Sequence, residues 1–82
     1  MAAGANELIR GSLSEARRHF RRAVRMHPDE HEFQFALARV EYELGNLRRA
    51  SRYLGRARSI GPAHYAERYQ AKLDSINEAR ER

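Results

Sequence analysis

Four histidines, five serines and eleven acidic side chains are the residues in this 82-residue chain that could make or break bonds. Their spacing assembles none of the usual catalytic groupings. His19, His27, His31 and His64 are scattered along the chain. His27 and His31 are four apart, the spacing at which two imidazoles on one helix face share a zinc ion, but Pro28 stands between them where a helix would begin. No serine has a neighbouring histidine–carboxylate signature, and no glycine-rich phosphate loop is present. Asp29, Glu30 and Glu32 crowd one helix start, where the helix dipole favours negative charge, so they read as end charges rather than as a catalytic pair. With no cysteine there is no thiolate metal site and no disulfide framework. The expectation is a protein that is not an enzyme, with no metal and no cofactor.

Arginine is the other chemistry the sequence offers. The net charge is +5, and Lys72 is the one lysine among the sixteen basic residues. Residues 10–25 hold Arg10, Arg17, Arg18, Arg21, Arg22 and Arg25 against Glu15 alone, and residues 48–58 hold Arg48, Arg49, Arg52, Arg56 and Arg58 with no acid. The acidic residues Asp29, Glu30, Glu32, Glu41 and Glu43 gather between these two blocks. On helices, Arg18, Arg22 and Arg25 share one edge, and Arg49, Arg52 and Arg56 share another. Such edges suit nucleic acid or another anionic partner. They equally suit a solvated face whose ion pairs contribute about 0–1 kcal/mol each, and that reading is preferred. No apolar run approaches the ~18 residues of a membrane span. The N-terminus lacks a charged-then-apolar signal pattern. A cytoplasmic protein is expected.

The elements that position these residues are visible in an internal repeat. Shifting the chain by 34 residues lays Gly11 on Gly45, Leu13 on Leu47, Ala16 on Ala50, Ala23 on Ala57 and Pro28 on Pro62. Charged positions drift between the two copies, while small and apolar positions hold. Within each copy the apolar residues recur at three-and-four spacing, as on one helix face: Leu13, Ala16, Phe20, Ala23 and Val24, then Leu47, Ala50, Tyr53, Leu54 and Ala57. Phe33, Leu37, Val40 and Leu44 make a similar stripe, as do Tyr65, Tyr69, Leu73 and Ile76. Gly11 and Gly45 read as residues that follow a helix, and Ser12 and Asn46 as N-caps of the next. Pro28 and Pro62 read as first-turn residues. The spacing thus predicts an all-α chain of five helices, at about 2–10, 13–26, 29–44, 47–60 and 63–80. The connections are so short that neighbours must be antiparallel. Ala16, Ala23, Ala50 and Ala57 then mark where two helices approach closely.

These residues resemble the tetratricopeptide repeat, a 34-residue helix–turn–helix unit. Residues 31–64 match one full unit. Leu37 and Ala38 stand at its leucine–small pair, Tyr42 lies near its aromatic position, and Gly45, Asn46 and Leu47 stand at its turn. Ala50 and Ala57 occupy its two alanine positions, and Pro62 its closing proline. Residues 1–30 match a truncated first unit through Gly11, Ala16, Phe20, Ala23 and Pro28, with Ala3 and Gly4 where the leucine–small pair would be. Residues 65–82 suit a C-terminal capping helix. Two departures stand out: Gln34 where the family often has tryptophan, and Glu41 where it often has tyrosine. Ser75 occupies the corresponding position in the last segment.

The resemblance implies a right-handed superhelix whose A helices line a concave groove that holds a protein or peptide partner. By register, Phe35, Arg39 and Tyr42 face that groove, with Tyr69, Gln70 and Leu73 as counterparts on the last helix. The lysine-and-asparagine clamp that some members use for a terminal carboxylate is absent. A non-enzymatic interaction scaffold is the leading expectation. A basic module acting through the arginine edges and a self-associating element, for example a homodimer, are the alternatives. Two units and a helix fall short of the roughly three repeats that stand alone. The chain therefore reads as a fragment of a longer array, a self-associating unit or a well-capped domain.

Overall fold

The computed structural model describes residues 2–81, with side chains from Arg10 to Glu81. The order is α1 (Ala2–Met26), α2 (His31–Glu43), α3 (Leu47–Ile60), a 3-10 turn (Ala63–Tyr65) and α4 (Ala66–Glu81). Consecutive helices pack as neighbours: α1 on α2, α2 on α3 and α3 on α4. The Cα extents are 44 × 33 × 17 Å. The short dimension fits two layers of helices whose axes lie about 10 Å apart.

Among the described residues four α-helices therefore stand where five were expected, because the first two are one. α1 runs through Gly11 without a reversal, and Gly45 is the one glycine with positive φ among the described residues. Ser12 is accordingly a mid-helix residue and not an N-cap. A glycine inside a helix costs only about 1 kcal/mol, so glycine by itself does not stop one. Gly45 stops α2 because more holds it there. Its φ is 85°, its N–H donates to the Tyr42 carbonyl at 2.9 Å, and the Asn46 N–H donates to the Glu41 carbonyl at 2.8 Å. These paired bonds satisfy the last carbonyls of the helix and turn the chain back.

The proline positions also shift. Pro28 lies in a turn closed by the Glu30 N–H on the His27 carbonyl at 3.1 Å, and α2 begins only at His31. Pro62 precedes the 3-10 turn, so α4 proper starts at Ala66 rather than near 63. Asn46 is the N-cap residue of α3, yet its side chain does not cap. It reaches back to Glu41 instead.

α3 is the centre of the core. Ala50, Leu54 and Ala57 are 0, 1 and 0% exposed, between Ala38 of α2 and Tyr69, Leu73 and Ile76 of α4. The two alanines sit where the helices meet most closely, as their spacing predicts. Full burial of Leu54 is worth about 1.5–3 kcal/mol by itself. Leu37 and Val40 extend the buried face of α2. The counterparts of Ala50 and Ala57 on α1, Ala16 and Ala23, are only half-buried.

Gly61 closes α3 at a tight place. A Cβ there would stand 2.8 Å from the Ala57 carbonyl oxygen and 3.2 Å from Cγ of His31. The end of α3 and the start of α2 are thus held in contact across the same pair of helices that Gly45 joins.

Candidate functional site

α2 and α4 lie side by side, and an aromatic seam joins their N-terminal ends. His31 and Phe35 of α2 are four apart, as are Tyr65 and Tyr69 on the other side. The His31 ring lies 4.7 Å from Tyr65, Phe35 lies 5.4 Å from Tyr69, and Tyr65 stacks on Tyr69 at 5.5 Å between centroids. His31 Nδ1 and the Tyr69 hydroxyl share a hydrogen bond of 2.7 Å. Burial, followed by the nearby Tyr65 and Glu32, pushes the Tyr69 phenol above its ordinary pKa. Rings at these separations add about 0.5–1.5 kcal/mol per pair beyond the area they bury.

Further along the two helices the seam opens into a hollow of about 400 Å³. α2 contributes Phe35, Ala38, Arg39, Tyr42 and Glu43 to its walls. α4 contributes Ala71, Lys72, Ser75 and Ile76. Ala71 and Ser75 are the small side chains on the α4 side of the hollow. Tyr42 is 48% exposed. Lys72 Nζ lies 5.5 Å above the Phe35 ring, and Arg39 and Glu43 bring charges of both signs to the rim.

Phe35, Arg39 and Tyr42 thus come together on this wall. Tyr69, Gln70 and Leu73 do not line it. Tyr69 is 2% exposed and belongs with Leu73 to the buried core edge of α4. Gln70 is spent on Asp74, to which its Nε2 donates at 2.9 Å. The edge of α4 that meets the hollow is the adjacent one, and sequence reasoning missed its Lys72, Ser75 and Ile76. Helical register gives a residue's angular position on its own helix, but the rotation of that helix against its neighbour is a tertiary quantity.

On the other side of α2 lies an ion pair that also escaped notice. Glu41 is completely buried, its Oε2 accepting from Arg17 Nε at 3.2 Å and its Oε1 from Asn46 Nδ2 at 2.8 Å. One carboxylate therefore ties α1, α2 and the turn before α3. Seven residues earlier, Gln34 is also buried and donates from Nε2 to the Pro28 carbonyl at 3.2 Å. The signal for both was present: two polar residues seven apart, at positions where similar chains carry aromatic rings.

The arginine edges are exposed. Arg18, Arg22, Arg25, Arg49, Arg52 and Arg56 all face solvent. Arg18 and Arg25, with Arg17, Arg21 and Ser14, line a basic hollow of about 350 Å³ along α1, and Arg22 lies outside it. Arg56 packs its guanidinium 5.7 Å from the centre of the Tyr53 ring. Among the described residues no group of histidines and carboxylates is placed to hold a metal, and no helix is long and apolar enough to cross a membrane.

Comparison with known proteins gives one match. A family model of the tetratricopeptide repeat covers residues 7–76. No curated protein and no solved structure matches the chain. Tetratricopeptide repeats generally mediate protein–protein interaction and are typically non-enzymatic scaffolds. The all-α stack, the left-handed glycine closing α2 and the two buried alanines seven apart on α3 agree with that match, and the chain belongs to the tetratricopeptide repeat family.

Proposed function

We propose that the chain is a docking scaffold that holds a segment of a partner protein in the hollow between α2 and α4. The observation that carries this reading is half-exposed Tyr42 on an open wall with Phe35 and Ile76, rimmed by Arg39 and Lys72. An aromatic wall of this size takes one or two apolar side chains of a bound segment. The two cations beside it suit an acidic residue flanking that apolar anchor. Tyr69 and Leu73 act behind the wall by packing α4 into the core, and Gln70 bonds within α4.

The test is a set of fluorescent peptides with a leucine or phenylalanine anchor, with and without a neighbouring aspartate, read by anisotropy. Tyr42→Ala is expected to weaken the best binder at least tenfold, equivalent to about 1.4 kcal/mol. Lys72→Glu is expected to remove the preference for the acidic neighbour. Unchanged affinity in both variants would sink the reading.

The basic hollow on α1 supports a second reading, in which Arg18, Arg21 and Arg25 meet an anionic partner such as nucleic acid. Its signature is a steep loss of affinity with salt, because each neutralised phosphate releases about one counterion. Binding that is indifferent to salt would remove it.

A further inference from the structure

The basic hollow along α1 is built around one fixed arginine. Glu41 is completely buried and spends both oxygens inside the molecule, Oε2 on Arg17 Nε and Oε1 on Asn46 Nδ2. It therefore holds Arg17 without showing a negative charge to solvent. The pair is made through Nε, and 29% of the Arg17 side chain stays exposed. The terminal nitrogens of the guanidinium, whose fork matches a phosphate, are left for a ligand. The walls of the hollow are Ser14, Arg17, Arg18, Arg21 and Arg25, with no carboxylate among them. Arg17, Arg21 and Arg25 stand four residues apart, so their Cα atoms climb α1 in steps of about 6 Å. That step is close to the separation of neighbouring phosphates along an extended nucleic-acid strand.

The chemistry of the walls selects the partner. A protein interface centres on apolar and aromatic anchors, and a helix lying on a membrane surface inserts apolar side chains. The lining residues include neither. A phosphate backbone needs none, because guanidinium and hydroxyl donors are its usual contacts. We infer that the hollow holds the sugar–phosphate backbone of a single nucleic-acid strand, with Arg17 as its anchor and Glu41 as the positioning residue behind that anchor. The inference deepens the second reading above and rests on it; it is independent of the hollow between α2 and α4. A single file of arginines on one helix follows one strand, whereas the two backbones of a duplex lie across a groove from each other. No aromatic ring lines the hollow, so bases are not stacked there and the strand is bound without regard to sequence.

The test is anisotropy of a fluorescent oligothymidylate of about 12 nucleotides, titrated with the full chain from low to high salt. Four arginines in the hollow predict a slope of log affinity on log salt of about −3, at about −0.7 for each phosphate of a single strand. Oligoadenylate is expected to bind within about twofold of oligothymidylate. Arg21→Ala is expected to weaken binding roughly threefold or more and to flatten the slope by about 0.7. Arg52→Ala removes the same charge from the exposed edge of α3 and is expected to change neither. Arg17→Lys keeps the charge but loses the fork, so binding roughly fivefold weaker at an unchanged slope is expected. Equal losses in Arg21→Ala and Arg52→Ala would mean attraction by net charge alone and would overturn the site. Wild-type affinity in Arg17→Lys would overturn the anchor. A duplex or polyglutamate bound as tightly as the single strand would overturn the choice of ligand and leave the second reading standing. Absence of salt-dependent binding to all of these probes would remove that reading and the inference together.

Discussion

At the scale of single residues, Glu41 and Tyr69 hold the helices together through polar atoms. Glu41 uses both oxygens, one on Arg17 and one on Asn46. A buried carboxylate that loses a partner keeps its desolvation cost, so Arg17→Ala is expected to lower stability by about 1–3 kcal/mol in urea unfolding. Adding Glu41→Leu should recover much of the loss, because apolar replacement of a buried pair is often neutral or better. If Arg17→Ala costs nothing measurable, the pair is not the tie described. The Tyr69 phenol gives a pH dependence. Its pKa is raised in the folded state, chiefly by burial, so the protonated form is bound more tightly there than in the unfolded chain. The contribution is fully present below the unfolded value of about 10 and is lost as pH rises through the folded one. Stability measured from pH 8 upward should therefore fall in the alkaline range, and Tyr69→Phe should flatten that fall while removing the bond to His31. An unchanged alkaline slope in Tyr69→Phe would show that other groups cause it.

At the scale of elements, the α2–α3 hairpin is the part most tightly specified. Ala50 has no exposed surface, so Ala50→Leu places extra carbons where the helices already touch. A loss of about 1–3 kcal/mol is expected. For a domain of this size each kcal/mol corresponds to a melting shift of about 4–8 °C. Gly45→Ala should cost about 1 kcal/mol, since φ of 85° places a Cβ in the left-handed region. Gly11→Ala should stabilise or leave stability unchanged, because Gly11 lies within a helix where alanine is favoured. The contrast between these two glycines is the sharpest thermal-melt check on the single α1. A loss at Gly11 equal to that at Gly45 would argue for a turn at both.

At the scale of the molecule, the period of 34, the all-α class, the reversal at Gly45 and the close contact at Ala50 and Ala57 were all readable in the sequence. Each depends on residues within one hairpin, where a short connection makes spacing along the chain nearly equivalent to position in space. Three features were decided only by tertiary packing. Gly11 and Gly45 stand at equivalent positions, yet only Gly45 turns, because its reversal is held by Asn46 on Glu41 and by a full helix of cover. Tyr69 and Leu73 carry the same apolar signal as a groove wall, yet they are buried in the core, where Tyr69 meets His31 and Phe35 of α2. Glu41 looks like a solvent-facing charge on an acidic helix until Arg17 arrives from 24 residues away to pair with it. Local spacing determines which helix faces are apolar. Which of those faces meet, and which remain open to a partner, follows from contacts that join residues far apart in the chain.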